Sequence, residues 1–167
     1  MGDVLMTTPA LRALKQSSPD RHLTLWTSSS GAVLGPYLPD VDQVLSFEAP
    51  WVKNDADDVQ ADLHMVKVLR AQAFDAAVIF TVYSQSALPA ALMCRLAGIP
   101  RVLAHCRENP YHLVSYWVRE SEPPCVRHEV QRQLDLVSTI GATNPDPVLR
   151  FALRDADRIS LFQKLAA

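Results

Sequence analysis

The sequence has few of the residues that common phosphate and disulfide sites require. Its 167 residues include five glycines, and none belongs to a Gly-x-Gly-x-x-Gly or Gly-Lys-Ser/Thr loop. Because those loops bring the backbone close to phosphate groups, the sequence contains no recognisable phosphate-binding loop of either type. The three cysteines, Cys94, Cys106 and Cys125, are odd in number and lack Cys-x-x-Cys spacing. This pattern argues against a disulfide framework.

The sequence also lacks long apolar runs, metal-ligand spacings and an excess of one charge. No run approaches the ~18 apolar residues of a membrane helix, and Met1 is not followed by a secretory signal segment. The five histidines form no His-x-x-x-His pair, so we expect no metal site. The formal net charge is −2 and the basic residues are scattered, so we expect no nucleic-acid partner. A cytoplasmic protein with at most peripheral membrane contact is expected.

The composition that remains, 49% hydrophobic and 20% charged, is that of an ordinary globular protein. Short apolar runs alternate with helical patterns, which predicts an α/β fold with a Rossmann-like, mainly parallel sheet and flanking helices. The predicted strands cover residues 22–27, 43–47, 76–82 and 101–104, with a candidate strand at 148–153. The predicted helices cover residues 9–16, 57–71, 86–97, 126–140 and 155–165. The helix over 86–97 is apolar nearly all round, which predicts that it is buried.

The start of the chain carries the most informative residue. Asp3 precedes an apolar helical stretch, and the unpaired N–H groups and partial positive charge of a helix N-terminus favour a carboxylate there. Two interpretations stay open, because Asp3 can cap the helix or serve as a general base. Thr8 is predicted to be the cap of the helix over residues 9–16, with Pro9 at its first position. The alternative is that residues 3–7 form a preceding turn, with a kink at Pro9.

Residues 2–11, Gly-Asp-Val-Leu-Met-Thr-Thr-Pro-Ala-Leu, resemble the opening signature of glycosyltransferase family 9, the lipopolysaccharide heptosyltransferases. Further similar segments follow in the family's order: Leu-Pro-Asp-Val-Asp-Gln-Val at 38–44, Phe-Asp at 74–75, Ala-Gly-Ile-Pro-Arg at 97–101, and His-Glu-Val-Gln-Arg-Gln-Leu-Asp-Leu at 128–136. Each motif is short, but their order across nearly the whole chain is fairly specific.

The family consists of two-domain enzymes of the GT-B type, roughly twice this length, whose second Rossmann-like domain holds the nucleotide sugar. The resemblance therefore implies an acceptor-side N-terminal domain, truncated at both ends, over residues 1–144. Residues 145–167 would be a linker and the start of the absent donor-binding domain. In the family an apolar strand and a Ser-rich turn precede the Gly-Asp pair, so the first strand of the sheet is expected to be missing.

The resemblance implies inverting transfer of a heptose, or a related sugar, from a nucleotide diphosphate sugar such as ADP-heptose. The acceptor would be the lipid-linked lipopolysaccharide core, at the cytoplasmic side of the inner membrane. Asp3 would accept the proton of the attacking hydroxyl, and Thr7 and Thr8 would position substrate. No cofactor is implied beyond the donor substrate.

The segment over residues 105–124 follows a predicted strand and mixes cationic with aromatic side chains, which suits sugars and phosphates. It supplies Arg107 and His112 as candidate acceptor ligands, and Lys53 and Arg101 are further candidates for an anionic acceptor. The alternatives are an ordered surface loop and, for each basic residue, a solvated surface charge.

Two other interpretations affect function. The Asp-Ala-Asp-Asp run at 55–58 is similar to a metal-binding Asp-x-Asp motif, but it precedes a helical pattern, where negative charge favours the helix start. A non-catalytic α/β binding or interaction domain, inactive alone, is the alternative to a glycosyltransferase.

Overall fold

The computed structural model describes residues 1–52, 58–120, 127–144 and 146–166. Over these residues, parallel strands alternate with helices, as the sequence predicts. The strands are β1 (Thr24–Thr27), β2 (Gln43–Ser46), β3 (Ala77–Ile79), β4 (Val102–Cys106) and β5 (Tyr116–Arg119). The helices are α1 (Gly2–Ser17), α2 (Ser29–Ala32), α3 (Val59–Ala71), α4 (Leu88–Ala97), α5 (Glu129–Ser138) and α6 (Asp155–Leu165), with a 3-10 turn at Gly35–Tyr37.

The described strands form two parallel sheets. The first contains β1 and β2, with Thr24 opposite Gln43, and the second has the order β3-β4-β5. In the second sheet Ala77 lies opposite Val102, and Leu103 lies opposite Tyr116. Within the described residues β1 does not pair with β3, so each of these two strands has one open edge.

Both sheets nevertheless contribute to the same hydrophobic cores. Trp26 of β1 and Ile79 of β3 pack into one core with residues of α3 and α4. Leu23, just before β1, and Val78 of β3 pack into a second core with residues of α1 and α5. Because side chains alternate along a strand, this shared pattern places both sheets in one layer between two layers of helices.

Helix α1 begins at Gly2, so the prediction that it begins after Thr8 is wrong. Pro9 lies inside the helix and has no N–H to donate to the carbonyl of Leu5. The hydroxyl of Thr8 donates to that carbonyl instead, at 2.8 Å. This side-chain bond replaces the one that proline removes, and Thr8 is therefore not the helix cap.

Three further expectations differ from the structure. Residues 116–119 form the edge strand β5 where an irregular segment was expected. Helix α4 exposes Leu92 and Leu96 to about half of their area, so it is not buried on all sides. Residues 148–153 contain no strand.

Candidate active site

A cavity of about 1580 Å³ separates the two sheets. Residues from β1 and β3 line it, together with Asp3 and Thr7 of α1 and Glu129 and Gln133 of α5. It extends along the strands, because its lining also includes His22 before β1 and Val82 after β3. The cavity thus occupies the place where one more strand would join the two open edges.

Three residues that line this space each carry a buried polar atom without a partner among the described residues. Within the described residues, Trp26 Nε1, Thr81 Oγ1 and Gln133 Oε1 are buried and make no hydrogen bond, and all three residues line the cavity. Buried polar groups in folded proteins are nearly always paired, so these three atoms are exceptions within the described part of the chain.

Asp3 lies at the carboxyl edge of the strands. Gly31, just after β1, lies close to Val4 in the first turn of α1, because a Cβ built on Gly31 would be 3.1 Å from Val4 Cγ2. The first turn of α1 therefore lies beside the end of β1. Asp3 is exposed, and among the described residues no side chain or backbone group bonds its carboxylate. Met1 is the N-cap residue and makes no side-chain cap bond. Asp3 therefore presents, at a helix N-terminus on the cavity lining, a carboxylate that no described residue bonds.

Thr7 and Thr8 lie next to each other in α1 and have different surroundings. The Thr7 hydroxyl donates to the carbonyl of Val4 at 2.7 Å, and its side chain lines the cavity. The Thr8 hydroxyl accepts a hydrogen bond from the amide of Arg150 at 3.1 Å, and its side chain is not part of the cavity lining. The structure thus brings Thr7, but not Thr8, to the same cavity as Asp3.

The candidate basic residues lie at opposite edges of the sheet. Arg107 follows the carboxyl end of β4, and its guanidinium lies 5.0 Å from the ring centre of Tyr83. Arg101 precedes β4 and lines the amino end of the same cavity as Asp3, and its Nε donates to the carbonyl of Asp75 at 3.1 Å. His112 lies near the amino edge as well, because its carbonyl accepts from Arg95 in the last turn of α4.

Arg107 is therefore the one of these three residues that shares the carboxyl edge with Asp3. Lys53 lies outside the described residues, as do Asp55 and Asp57 of the acidic run. Asp58, the last residue of that run, caps α3 by accepting from the amides of Gln60 and Ala61. Over the part of the chain that the structure describes, no group of three or more His, Cys, Asp or Glu side chains is placed to hold a metal ion.

A buried charged network beside the cavity was not predicted. Arg132 of α5 donates from Nε to Glu120 Oε1 at 2.6 Å and from Nη2 to Glu120 Oε2 at 2.8 Å. Its Nη1 donates to Glu129 Oε1 at 2.7 Å and also bonds the carbonyl of Thr81. Gln133 Nε2 donates to the same two acceptors. The network therefore fixes the carboxyl ends of β3 and β5 to the first turn of α5.

The network also shifts the ionisation of its members. Burial by itself would raise the pKa of Glu120, but the hydrogen bonds and charge of Arg132 outweigh it and lower that pKa. His105, 5% exposed, donates from Nε2 to the carbonyl of Arg132 at 3.1 Å. Burial lowers the pKa of His105, and its bond to Arg132 offsets part of that effect. His105 is thereby favoured in its neutral form.

Beside β4 and α4, Ser86 Oγ donates to Glu108 Oε1 at 2.6 Å. This hydrogen bond lowers the pKa of Glu108. Burial raises the pKa of the Cys106 thiol, and the charge of Glu108 raises it further. Cys106 is therefore a poor candidate for a nucleophile, since the thiolate is the reactive form.

None of the described helices is long and apolar enough to cross a membrane. No protein-family model matches the sequence, and no curated protein sequence matches it.

The similarity to solved structures is clear in the fold. ADP-heptose lipopolysaccharide heptosyltransferase II from E. coli superposes with a TM-score of 0.70 at 15% identity, over 96% of this chain and 46% of that protein. A family 9 glycosyltransferase from Veillonella parvula DSM 2008 superposes with a TM-score of 0.74 at 16% identity, over 98% of this chain and 45% of that protein. This chain spans less than half the length of either structure. It therefore has the fold of about half of a GT-B glycosyltransferase of the family 9 type, which confirms at the level of fold the resemblance of its motifs.

Proposed function

We propose that this chain is the acceptor-side domain of a glycosyltransferase, and that Asp3 is its general base. The observation that supports this proposal is the exposed carboxylate of Asp3 in the first turn of α1, beside the carboxyl end of β1, where no described residue bonds it. Open α/β sheets bind ligands outside the carboxyl ends of their strands, and Asp3 lies at that edge. A general base must contact the hydroxyl whose proton it accepts. The Asp3 carboxylate can do so without breaking a hydrogen bond to any described residue.

The proposed reaction is an inverting displacement. Asp3 accepts the proton of an acceptor hydroxyl while that oxygen attacks the anomeric carbon of the donor sugar. The bond from that carbon to the diphosphate breaks, and the nucleoside diphosphate leaves with its electron pair. No covalent bond to the protein forms, so the configuration at the anomeric carbon is inverted. The leaving diphosphate needs cationic or N–H donors, which we assign to a donor-binding domain outside this chain.

The proposed substrates follow from the names of the similar structures. We propose ADP-heptose as the donor and the lipid-linked lipopolysaccharide core as the acceptor, used at the cytoplasmic face of the inner membrane. Thr7 and Arg107 share the carboxyl side of the sheet with Asp3 and are the residues we assign to acceptor contacts. Arg101 and His112 lie at the amino edge, so we do not assign them a role in the transfer step.

The test is an assay of the longer polypeptide that contains this chain. ADP-heptose and a lipid-linked core acceptor are supplied, ADP release is followed, and the anomeric configuration of the product is determined by NMR. The proposal predicts acceptor-dependent ADP release with inversion. Acceptor binding without transfer would favour a non-catalytic binding domain, and retention of configuration would exclude the general-base mechanism.

A further inference from the structure

After α5 the chain returns along helix α1, on the side away from the cavity. We call residues 146–154 the strap. Arg12, in the middle of α1, is only 1% exposed. Its Nη1 donates to Asp146 Oδ2 at 2.6 Å, and its Nη2 donates to the carbonyl of Val148 at 2.7 Å. One buried guanidinium thus holds both a side chain and a backbone group at the start of the strap.

The strap is bonded at two more points along its length. The amide of Arg150 donates to Thr8 Oγ1 at 3.1 Å, and the amide of Ala152 donates to the carbonyl of Tyr37 at 2.9 Å. Between these amides, the ring of Phe151 stacks on that of Tyr37, with 4.7 Å between centroids. The strap therefore follows the domain surface by polar contacts without joining a sheet.

Tyr37 also connects the strap to α6. The guanidinium of Arg154 lies 4.7 Å from the Tyr37 ring centre, and its Nη2 donates to the Tyr37 hydroxyl at 3.0 Å. Arg154 is paired in turn with Asp157, in the first turn of α6. The start of α6 is thus held by the same contacts as the strap.

Apolar burial contributes little to this arrangement. The strap side chains Val148, Leu149, Phe151 and Leu153 are between 45% and 65% exposed. Arg12, by contrast, is almost fully buried, and a buried cation is costly unless it is paired. Its Nε has no partner among the described residues, so the two strap bonds are its main compensation. The strap therefore compensates the buried charge of Arg12, and Arg12 in turn holds the strap against α1.

We propose that Arg12 is a positioning residue that fixes the path by which the chain leaves this domain. Arg12 and Asp3 lie nine residues apart on one helix, a separation of about 13 Å along its axis. Through Arg12, the helix that carries Asp3 and the polypeptide after the strap are held at a fixed relative placement. This proposal depends on the proposed function at one point: it takes the polypeptide that follows the strap to be the donor-binding domain.

Amide hydrogen exchange of the 167-residue chain tests this proposal. In Arg12→Met we expect exchange at Arg150 and Ala152 to rise by about tenfold or more, because charge-assisted hydrogen bonds are lost. Arg12→Lys, which keeps the charge and one donor group, should give an intermediate rate. Lys15→Met is the matched control, since Lys15 lies on the same helix and pairs with Asp42, away from the strap. Unchanged exchange in a folded Arg12→Met variant would overturn the proposal.

A second variant covers the case in which Arg12→Met fails to fold. Asp146 is 51% exposed, so Asp146→Ala removes an Arg12 partner without opening the core. We expect faster exchange at Ala152, six residues away, and a rate equal to that of the unaltered chain would overturn the proposal. Neither experiment involves sugar transfer, so failure of the strap and failure of the proposed reaction are separate results.

Discussion

Arg132 and Glu120 form a two-pronged ion pair inside the protein, with N–O distances of 2.6 and 2.8 Å and both side chains less than 5% exposed. Parallel bonds of this kind are the strongest that a carboxylate makes with a side chain. Removing one partner leaves a buried charge without compensation, which typically costs 3–5 kcal/mol.

We therefore expect Arg132→Met to lower the free energy of unfolding by roughly 3–5 kcal/mol, measured by urea denaturation. Arg127→Met is the control, because Arg127 is 34% exposed, lies 3.5 Å from the same carboxylate and makes its closer ion pair, 2.9 Å, with the partly exposed Asp135. It should cost less than about 1 kcal/mol. Equal losses in the two variants would show that the buried geometry of Arg132 confers no special stability.

Acid should weaken the fold in two steps. Burial lowers the pKa of His105 in the folded state, so protons bind the unfolded chain more tightly and stability falls as the pH drops below about 6.5. The pKa of Glu120 is lowered too, by Arg132 acting against burial. The contribution of Glu120 to the free energy of unfolding is present above about pH 4.3. It is lost as the pH falls through the pKa that Glu120 has in the folded protein.

The first step can be assigned by substitution. His105→Gln keeps an N–H donor for the carbonyl of Arg132 but removes the titrating group, so unfolding free energy should change less between pH 7 and 5 than in the unaltered chain. If the His105→Gln variant keeps the original slope, His105 is not the group responsible.

The open edges of β1 and β3 should make this chain sensitive to an added strand. Unpaired edges in a buried parallel sheet are costly and promote association. An extension of about a dozen residues before Met1, including roughly five to six of apolar strand, should fill the cavity and raise the melting temperature. An extension of equal length with Gly-Ser composition is the control. Identical cooperative melting of all three chains would show that the gap needs no strand.

The chain alone should be inactive in glycosyl transfer. Catalysis requires the base and the groups that stabilise the leaving diphosphate in one cleft, and we assign the latter to a domain outside this chain. We expect no acceptor-dependent ADP release when the purified 167 residues are given ADP-heptose and acceptor. Steady release at a rate above that of the Asp3→Asn variant would contradict this assignment.

The sequence predicts the alternation of helices and strands well because each element has a local pattern. Apolar runs identify β1 to β4, and helical spacing identifies α3 and α5. Strand β5, Tyr-Trp-Val-Arg, consists largely of strand-forming residues. It escapes this reasoning because the polar residues at 105–112 favour a loop for the whole segment, and three of its four residues are exposed at the sheet edge. The start of α1 escapes it because the Thr8 hydroxyl, whose bond is visible only in three dimensions, compensates for Pro9.

The site is less predictable than the fold because it depends on which edge of the sheet each residue reaches. Asp3 follows from its helix position and from the family resemblance. Arg101 and Arg107 look equivalent in the sequence, yet one precedes β4 and the other follows it. The pairing of Arg132 with Glu120 joins two elements, and no spacing rule within one helix reveals it.

The most direct measurement is the turnover of Asp3→Asn in the longer polypeptide, with ADP-heptose and acceptor. Asparagine keeps the size of the side chain but cannot take the proton, so turnover should fall by about 10²- to 10⁴-fold while the melting temperature changes little. Asp20→Asn is the matched control, because Asp20 is an exposed aspartate that lines the same cavity before β1, and it should keep near-normal turnover. Near-normal turnover of Asp3→Asn would contradict the assignment of Asp3 as the base.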